Sequence, residues 1–325
     1  MRTSRRVTGL IVSAAISVAA GSGATHAGAT TSSTSPFAGQ KLYVDPHSAA
    51  AQAAGSLRRS DPHEAAELDK IAHQSQADWF GDWNPTGEVQ ATVTDRRRTI
   101  AHAGAMPVFV VYEIPMRDCN GYSGGGATSP AAYRTWIRNF TAGVGTGNAA
   151  VILEPDALAQ LDCLSAANQT TRLSLLRFAV KTLTAHPRTA VYLDAGHSGW
   201  ISADAMAQRL RQADVADARG FSLNVSNFDS TGVERPYGHA IARAIGGKHF
   251  VIDTSRDGVG SNGDWCNPAG RALGPRPTAH TGDASVDAFL WIKRPGESDG
   301  TCNGGPPAGQ WWTDYAVGLA ERAAY

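Results

Sequence analysis

Ala150-Val151-Ile152-Leu153-Glu154-Pro155-Asp156 decides the fold: an apolar run without polar alternation, stopped by two carboxylates around a proline. A strand wet on one face alternates apolar with polar residues, whereas a strand covered on both faces is apolar throughout. Working outward, the same pattern marks Lys41-Val44, Val108-Tyr112, Ala190-Leu193, Phe221-Val225, His249-Ile252 and Ala288-Ile292. Helix-like stretches such as Ala131-Gly143, Ala166-Ala185, Ala203-Ala213 and Tyr237-Ile245 lie between them. Strands alternating with helices imply a parallel sheet, open or closed into a barrel.

Each run ends in polar residues. Asp118 follows the second, Glu154 and Asp156 the third, Asp194 and His197 the fourth. Asn224 and Asn227 follow the fifth, Asp253, Ser255 and Arg256 the sixth, and Lys293, Glu297 and Asp299 the last. Parallel strands end on one side, so these groups converge on one rim, where barrel enzymes carry their active sites. A lone Asp after a strand is usually a cap or turn residue; a whole series of polar endings is harder to explain that way.

The ends and the composition bound the rest. Arg2, Arg5 and Arg6 followed by the apolar run Val7 to Ala20 predict an export signal, residues 1–27, with Thr25-His26-Ala27 or Ala27-Gly28-Ala29 as cleavage sites. The run falls short of the roughly 20 residues a bilayer span needs, so a secreted, extracellular protein is expected, with no membrane partner. Residues 28–40, Ser/Thr-rich at Thr30 to Pro36, predict a flexible lead-in, and 41–325 a single domain. Lys and Arg total 29 and Asp and Glu 29, which gives no basic groove for nucleic acid and suits an uncharged polymer. Four Cys in an exported chain predict two disulfides, with three pairings open.

Asp118, Asp156 and Asp194 stand 38 residues apart at each step, about one strand-helix unit, so they can occupy successive strand ends. Cutting a glycosidic bond needs one carboxylic acid, kept protonated by burial or a neighbouring carboxylate, and a second carboxylate that attacks or activates water. An aspartate cluster also suits Mg or Ca, but Tyr112, Arg117, Trp200, Trp265 and Lys293 in the same segments fit a sugar better. No metal or cofactor is expected. Gly143-Val144-Gly145-Thr146-Gly147 precedes a strand and is no dinucleotide fingerprint. Gly196-His197-Ser198-Gly199-Trp200 lacks the second glycine of a nucleophile elbow. The Gly-rich Ser123 to Gly126 has no phosphate-binding Lys-Ser/Thr after it and is expected to be a flexible flap beside Asp118.

Longer motifs carry a resemblance. Val110-Val111-Tyr112-Glu113-Ile114-Pro115-Met116-Arg117-Asp118-Cys119 and Val151-Ile152-Leu153-Glu154-Pro155-Asp156 resemble the two signatures of glycoside hydrolase family 6. Tyr192-Leu193-Asp194-Ala195-Gly196-His197-Ser198-Gly199-Trp200, Asp264-Trp265-Cys266-Asn267-Pro268 and Trp291-Ile292-Lys293-Arg294-Pro295-Gly296-Glu297-Ser298-Asp299-Gly300 fit as well, in order, from about Leu42 to the C-terminus. The resemblance implies an α/β fold, a distorted parallel (β/α) TIM-like barrel, and hydrolysis of β-1,4-glucan without a cofactor. It makes Asp156 the catalytic acid, Asp118 the residue that raises its pKa and helps position water, Asp299 the candidate base, and Tyr112 a residue pressing on the sugar ring. Trp79, Trp200 and Trp265 would stack on glucose units, Lys293 and Glu297 would bind hydroxyls, Asp194 would support the cleavage point, and His197 and Asn227 join them as substrate contacts. Asp82-Trp83 departs from the family pattern. The segment after Asp299 is short, whereas tunnel-forming members carry longer loops there, so an open cleft and internal cutting by a monomer are expected.

The rival expectations are a cellobiohydrolase on the same fold and a non-catalytic polysaccharide-binding protein; the presence of both Asp118 and Asp156 speaks against the latter. Disulfides Cys119–Cys163 and Cys266–Cys302 are expected, since each ties two loops of one rim and the other pairings cross between distant segments. Inversion at the anomeric carbon is expected too, with Asp156 and Asp299 in or above the range of about 6.5–9.5 Å that leaves room for a water.

Overall fold

In the computed structural model, the described residues are 1, 3, 4 and 34–325. The apolar run and the cleavage sites of the expected signal lie outside them. Among the described residues no helix is long and apolar enough to cross a membrane. Seven strands form among the described residues: β1 (Asp78–Gly81), β2 (Val108–Tyr112), β3 (Ala149–Leu153), β4 (Thr189–Asp194), β5 (Gly220–Leu223), β6 (His249–Asp253) and β7 (Val286–Leu290). They pair in chain order, all parallel.

Both faces of the sheet are buried, which is why its strands read as unbroken apolar runs. Phe109 and Val111, Val151 and Leu153, and Phe221 and Leu223 face the helices. Their alternates Val108 and Val110, Ala150 and Ile152, Tyr192, Val251, Ala288 and Leu290 fill the inside of the curled sheet as a second core. Register puts Val110 beside Ile152 and Ile152 beside Tyr192, so the inner side chains stack in rows across the strands, as in packed barrels. The ring is distorted because β7 and β1 do not form a ladder. Ala77 donates its N–H to Trp291 O (3.0 Å), and the side chains of Trp79 and Arg294 reach Ile292 O (2.8 Å) and Ala77 O (3.0 Å) across that seam.

Among the described residues eight α-helices form: α1 (Ala49–Leu57), α2 (Pro62–Ala72), α3 (Val89–His102), α4 (Pro130–Val144), α5 (Ala166–Thr184), α6 (Ala203–Gln212), α7 (Thr231–Ala244) and α8 (Thr313–Glu321). Ser48, Asp61, Ser129, Ser165 and Ser202 cap five of them by accepting a backbone N–H of the first turn. Helices α3 to α7 pack on the outer face of the sheet, while α1, α2 and α8 share a separate cluster with Leu273 and Trp291.

Two expectations are corrected. Lys41-Val44 is no strand: it makes a single bridge, Leu42 to Met106, and its Val44 is exposed, so it lacks a second face to bury. The first strand is instead Asp78-Trp79-Phe80-Gly81, too short and too polar at its ends to show as an apolar run. The lead-in expected through residue 40 also differs in its last part. Ser35 Oγ donates to Asp287 O (2.8 Å), and Phe37 is buried in the inner core, stacked on Tyr192.

Candidate active site

The chain must turn sharply where each strand ends. Glu154 (φ 54°) and Asp156 (φ 70°) after β3 sit in the left-handed region, as do Asn224 (φ 64°) and Ser226 (φ 62°) after β5. Asp and Asn tolerate that conformation better than most residues. The turn after β3 brings the Asp156 N–H to Asp194 Oδ2 (2.9 Å). Asp194, buried at the end of β4, also accepts from Gly196 N (3.0 Å) and Ser222 Oγ (3.3 Å). Burial first, then the Asp194 and Asp118 carboxylates, push the Asp156 carboxyl well above the usual range, against the opposing effect of the Tyr112 hydroxyl. Burial also raises Asp194, to about 6, although these N–H donors favour its ionised form. An acid beside carboxylates is the arrangement proton donation requires.

Asp118 lies in the loop after β2. Its Oδ2 accepts from Ser123 N (2.8 Å) and its Oδ1 from Gln160 Nε2 (3.0 Å), and the neighbouring Cys119 is bonded to Cys163. The loop Ser123–Gly126 is beside Asp118, as expected, but it is tied down. Arg117 Nε donates to Ser123 O (2.8 Å), Arg117 N to Gly125 O (3.1 Å), and Gly126 N to Asp82 Oδ2 (3.0 Å). Asp82 also pairs with Arg117 Nη1 (3.0 Å), which gives the unexpected Asp82 an anchoring role. Arg117 lies 4.4 Å from the Tyr112 ring centroid, and Trp79 meets the same ring edge-on at 5.3 Å.

Across the rim, Asp299 is gripped by cations. Arg256 Nη1 donates to its Oδ2 (2.8 Å), Lys293 Nζ lies 3.4 Å from Oδ1, and Asn267 N donates to Oδ2 (3.1 Å). Burial alone would raise this carboxyl, but Arg256 and Lys293 outweigh it and hold it below the ordinary carboxylate value. Asp253 accepts the N–H groups of Lys293 (2.8 Å) and Ser226 (3.1 Å), which places those two loops side by side. Glu297 pairs with Arg294 (3.2 Å), and Cys266 is bonded to Cys302 beneath Asn267.

A cleft of about 980 Å³ gathers Trp79, Tyr112, Asp118, Asp156, His197, Trp200, Asn227, Trp265, Lys293, Glu297 and Asp299. That is the upper end of the usual ligand-site range of about 300–1,000 Å³, room for several sugar rings. Asp194 does not line the cleft; it lies behind Asp156. Trp83, Tyr122, Trp200 and Trp265 on the cleft walls are 52%, 51%, 38% and 55% exposed, flat apolar faces left to solvent. Tyr122 and Gln160 were not singled out in the sequence: an aromatic inside a Gly-rich loop and a Gln four residues after Asp156 carry no periodic signal. Arg256 stood among the polar strand endings, but its pairing with Asp299 spans 43 residues and is invisible in sequence.

Among the described residues, His197, Asp229 and Glu234 bring potential metal-ligating atoms within 4.8 Å of one another. His197 Nδ1 lies 2.8 Å from Asp229 Oδ2 and Glu234 Oε1 accepts from Ser198 N (2.9 Å), while Glu234 Oε2 is buried without a hydrogen-bond partner among the described residues. The cluster braces the loop that carries His197 and Trp200.

A buried carboxyl pushed well above its ordinary range and flanked by carboxylates, beneath aromatic walls that suit sugar faces, is the arrangement glycoside hydrolases use. Residues 37–323 match the model of Glycosyl hydrolases family 6, and the chain belongs to that family. It is 47% identical over 285 residues to Endoglucanase A of Cellulomonas fimi, covering 87% of this chain and 62% of that protein. It is 44% identical over 296 residues to Endoglucanase A of Thermobispora bispora, covering 89% and 63%. The chain thus spans a little over three fifths of these two relatives. Among solved structures it is similar to the endoglucanase Cel6 from Mycobacterium tuberculosis in complex with methyl-cellobiosyl-4-deoxy-4-thio-β-D-cellobioside, with TM-score 0.85, 49% identity, and coverage of 89% of this chain and 99% of that one.

Proposed function

We propose that this protein is a secreted, monomeric endo-β-1,4-glucanase that hydrolyses cellulose with inversion. The observation that carries it is the Asp156 carboxyl, kept protonated by burial and by Asp194 and Asp118 on the floor of the aromatic-walled cleft. Asp156 protonates the leaving oxygen. Tyr112 bears on the sugar at the point of cleavage, Trp79, Trp200 and Trp265 stack on neighbouring rings, and Lys293, Glu297, His197 and Asn227 bind hydroxyls. Asp194 supports the acid from behind, and Asp118 helps to place the water. Asp299, held ionised by Arg256 and Lys293, is the candidate base that takes the water's proton, directly or through a relay. The export signal proposed for residues 1–27 and the balanced charge fit an extracellular enzyme for an uncharged polymer.

Internal cutting lowers the viscosity of carboxymethylcellulose before many reducing ends appear, whereas a chain-end enzyme releases cellobiose with little loss of viscosity. The first outcome is expected. Proton NMR within minutes of mixing with cello-oligomers should show the α-anomer first; a first-formed β-anomer overturns the inverting mechanism.

A further inference from the structure

Arg172, on α5, is a buried cation whose pKa burial lowers against the opposing pull of the Glu154 carboxylate and the Tyr133 and Tyr112 hydroxyls, an arrangement that also needs a set of hydrogen-bond acceptors. Its acceptors are backbone carbonyls from two different loops. Nη2 donates to Met116 O (2.7 Å) and Pro115 O (3.0 Å), just before Asp118, and Nη1 to Ala157 O (3.4 Å), just after Asp156. A guanidinium offers forked donors in a rigid plane, and a lysine ammonium cannot reproduce that three-point grip.

The loop it grips has reason to move. Met116 (φ 57°), Asp118 (φ 53°), Cys119 (φ 47°) and Asn120 (φ 67°) are all left-handed without being glycine, a conformation that persists only where the surroundings enforce it. The Cys119–Cys163 bond holds the far side of Asp118, and Glu154 Oε2 accepts from Glu113 N (3.0 Å) and Ile114 N (2.9 Å) nearer the strand. Gln160, four residues after Asp156, donates to the Asp118 carboxylate itself (3.0 Å), and Arg172 adds the backbone tie between the stretch immediately before Asp118 and the stretch that follows Asp156.

We propose that Arg172 is a positioning residue for hydrolysis, holding the Asp118 loop against the Asp156 loop so that the two carboxyls keep their working separation. The inference rests on the proposed glucanase function and deepens it. The influence of Asp118 on Asp156 falls with distance, so a relaxed loop leaves the acid easier to ionise and its water unplaced.

The test compares wild type with Arg172→Lys and Arg172→Met. On cello-oligomers kcat should fall about 10–100-fold, more for Met than for Lys, with KM little changed, since small misplacements cost about that much. The alkaline limb of the pH–rate profile should move to lower pH, and the loss should shrink on dinitrophenyl cellobioside, whose leaving group needs no proton. The carboxyl carbon resonance of Asp156 in 13C-labelled protein should titrate at lower pH in Arg172→Lys. A folded Arg172→Lys with wild-type kcat, or a loss equal at every pH and on both substrates, overturns the proposal. So does failure of both variants to fold, which would make Arg172 a structural keystone only. An inactive wild type would refute the glucanase function, while the carboxyl titration would still judge the role of Arg172.

Discussion

In the proposed mechanism Asp156 carries a proton at the pH of reaction and gives it up at one moment, and its surroundings decide both. Burial and two neighbouring carboxylates raise it, while Asp299 across the cleft is lowered by Arg256 and Lys293. Opposite electrostatic surroundings thus separate the proposed roles of like residues. Asp156→Asn should cut turnover on cellulose by at least about 10²–10⁴, the usual contribution of a general acid. Binding of cello-oligomers should survive, because stacking and hydroxyl contacts remain. A dinitrophenyl or fluoride leaving group should restore part of the rate. Wild-type turnover in this variant would remove Asp156 from the mechanism. The aspartates themselves were legible as residues 38 apart. The partners that set their protonation were not, since Arg256 and Asp299, or Asp156 and Asp194, meet only when separate strands end together.

At the scale of elements, the runs from Val108 to Ile292 read well because strands buried on both faces have no polar positions to disguise them. β1 did not, because four residues with Asp and Gly at the ends give no pattern. The segment Ser35–Gln40 hides its role for a different reason: one side chain, Phe37, does the packing, and one residue makes no period. Phe37→Ala should lower unfolding stability by about 3–5 kcal/mol, the usual cost of deleting a buried phenylalanine. A urea unfolding midpoint equal to that of wild type would show that this segment does not help to hold the barrel interior.

Over the whole molecule, several carboxyls are buried, and among the described residues none of them makes an ion pair with a Lys or Arg within 4 Å, so burial outweighs the more distant cations. Burial raises Glu113 to about 8 and Glu154, Glu234 and Asp257 each to about 7. Their ordinary values are 4.5 for Glu and 3.8 for Asp, so between those and about 8 the folded protein binds more protons than the unfolded chain. Stability from these groups is fully present below the ordinary values and is lost as pH rises through 7 and 8. Asp299 works in the opposite sense, its contribution lost as pH falls below the ordinary carboxylate range. The melting temperature should therefore decline from pH 5 to 8.5, and a melting temperature that climbs over that interval would contradict the burial of these groups as acids.

The sequence by itself determined the parallel α/β fold, the strand ends that supply the proposed site, and the carboxylates proposed for acid catalysis. Strand burial and strand-end position are local properties written in apolar runs and their first polar residue. Tertiary structure alone decided that the barrel stays unladdered between β7 and β1, and that Asp194 sits behind Asp156 rather than in the cleft. It also decided that the Gly-rich loop is tied to Asp82 and Arg117, and that Arg172 joins two loops. Each of these depends on a hydrogen bond or charge contact between residues tens to hundreds of positions apart. Such contacts have geometry and distance but no period, and the chain must fold before they exist.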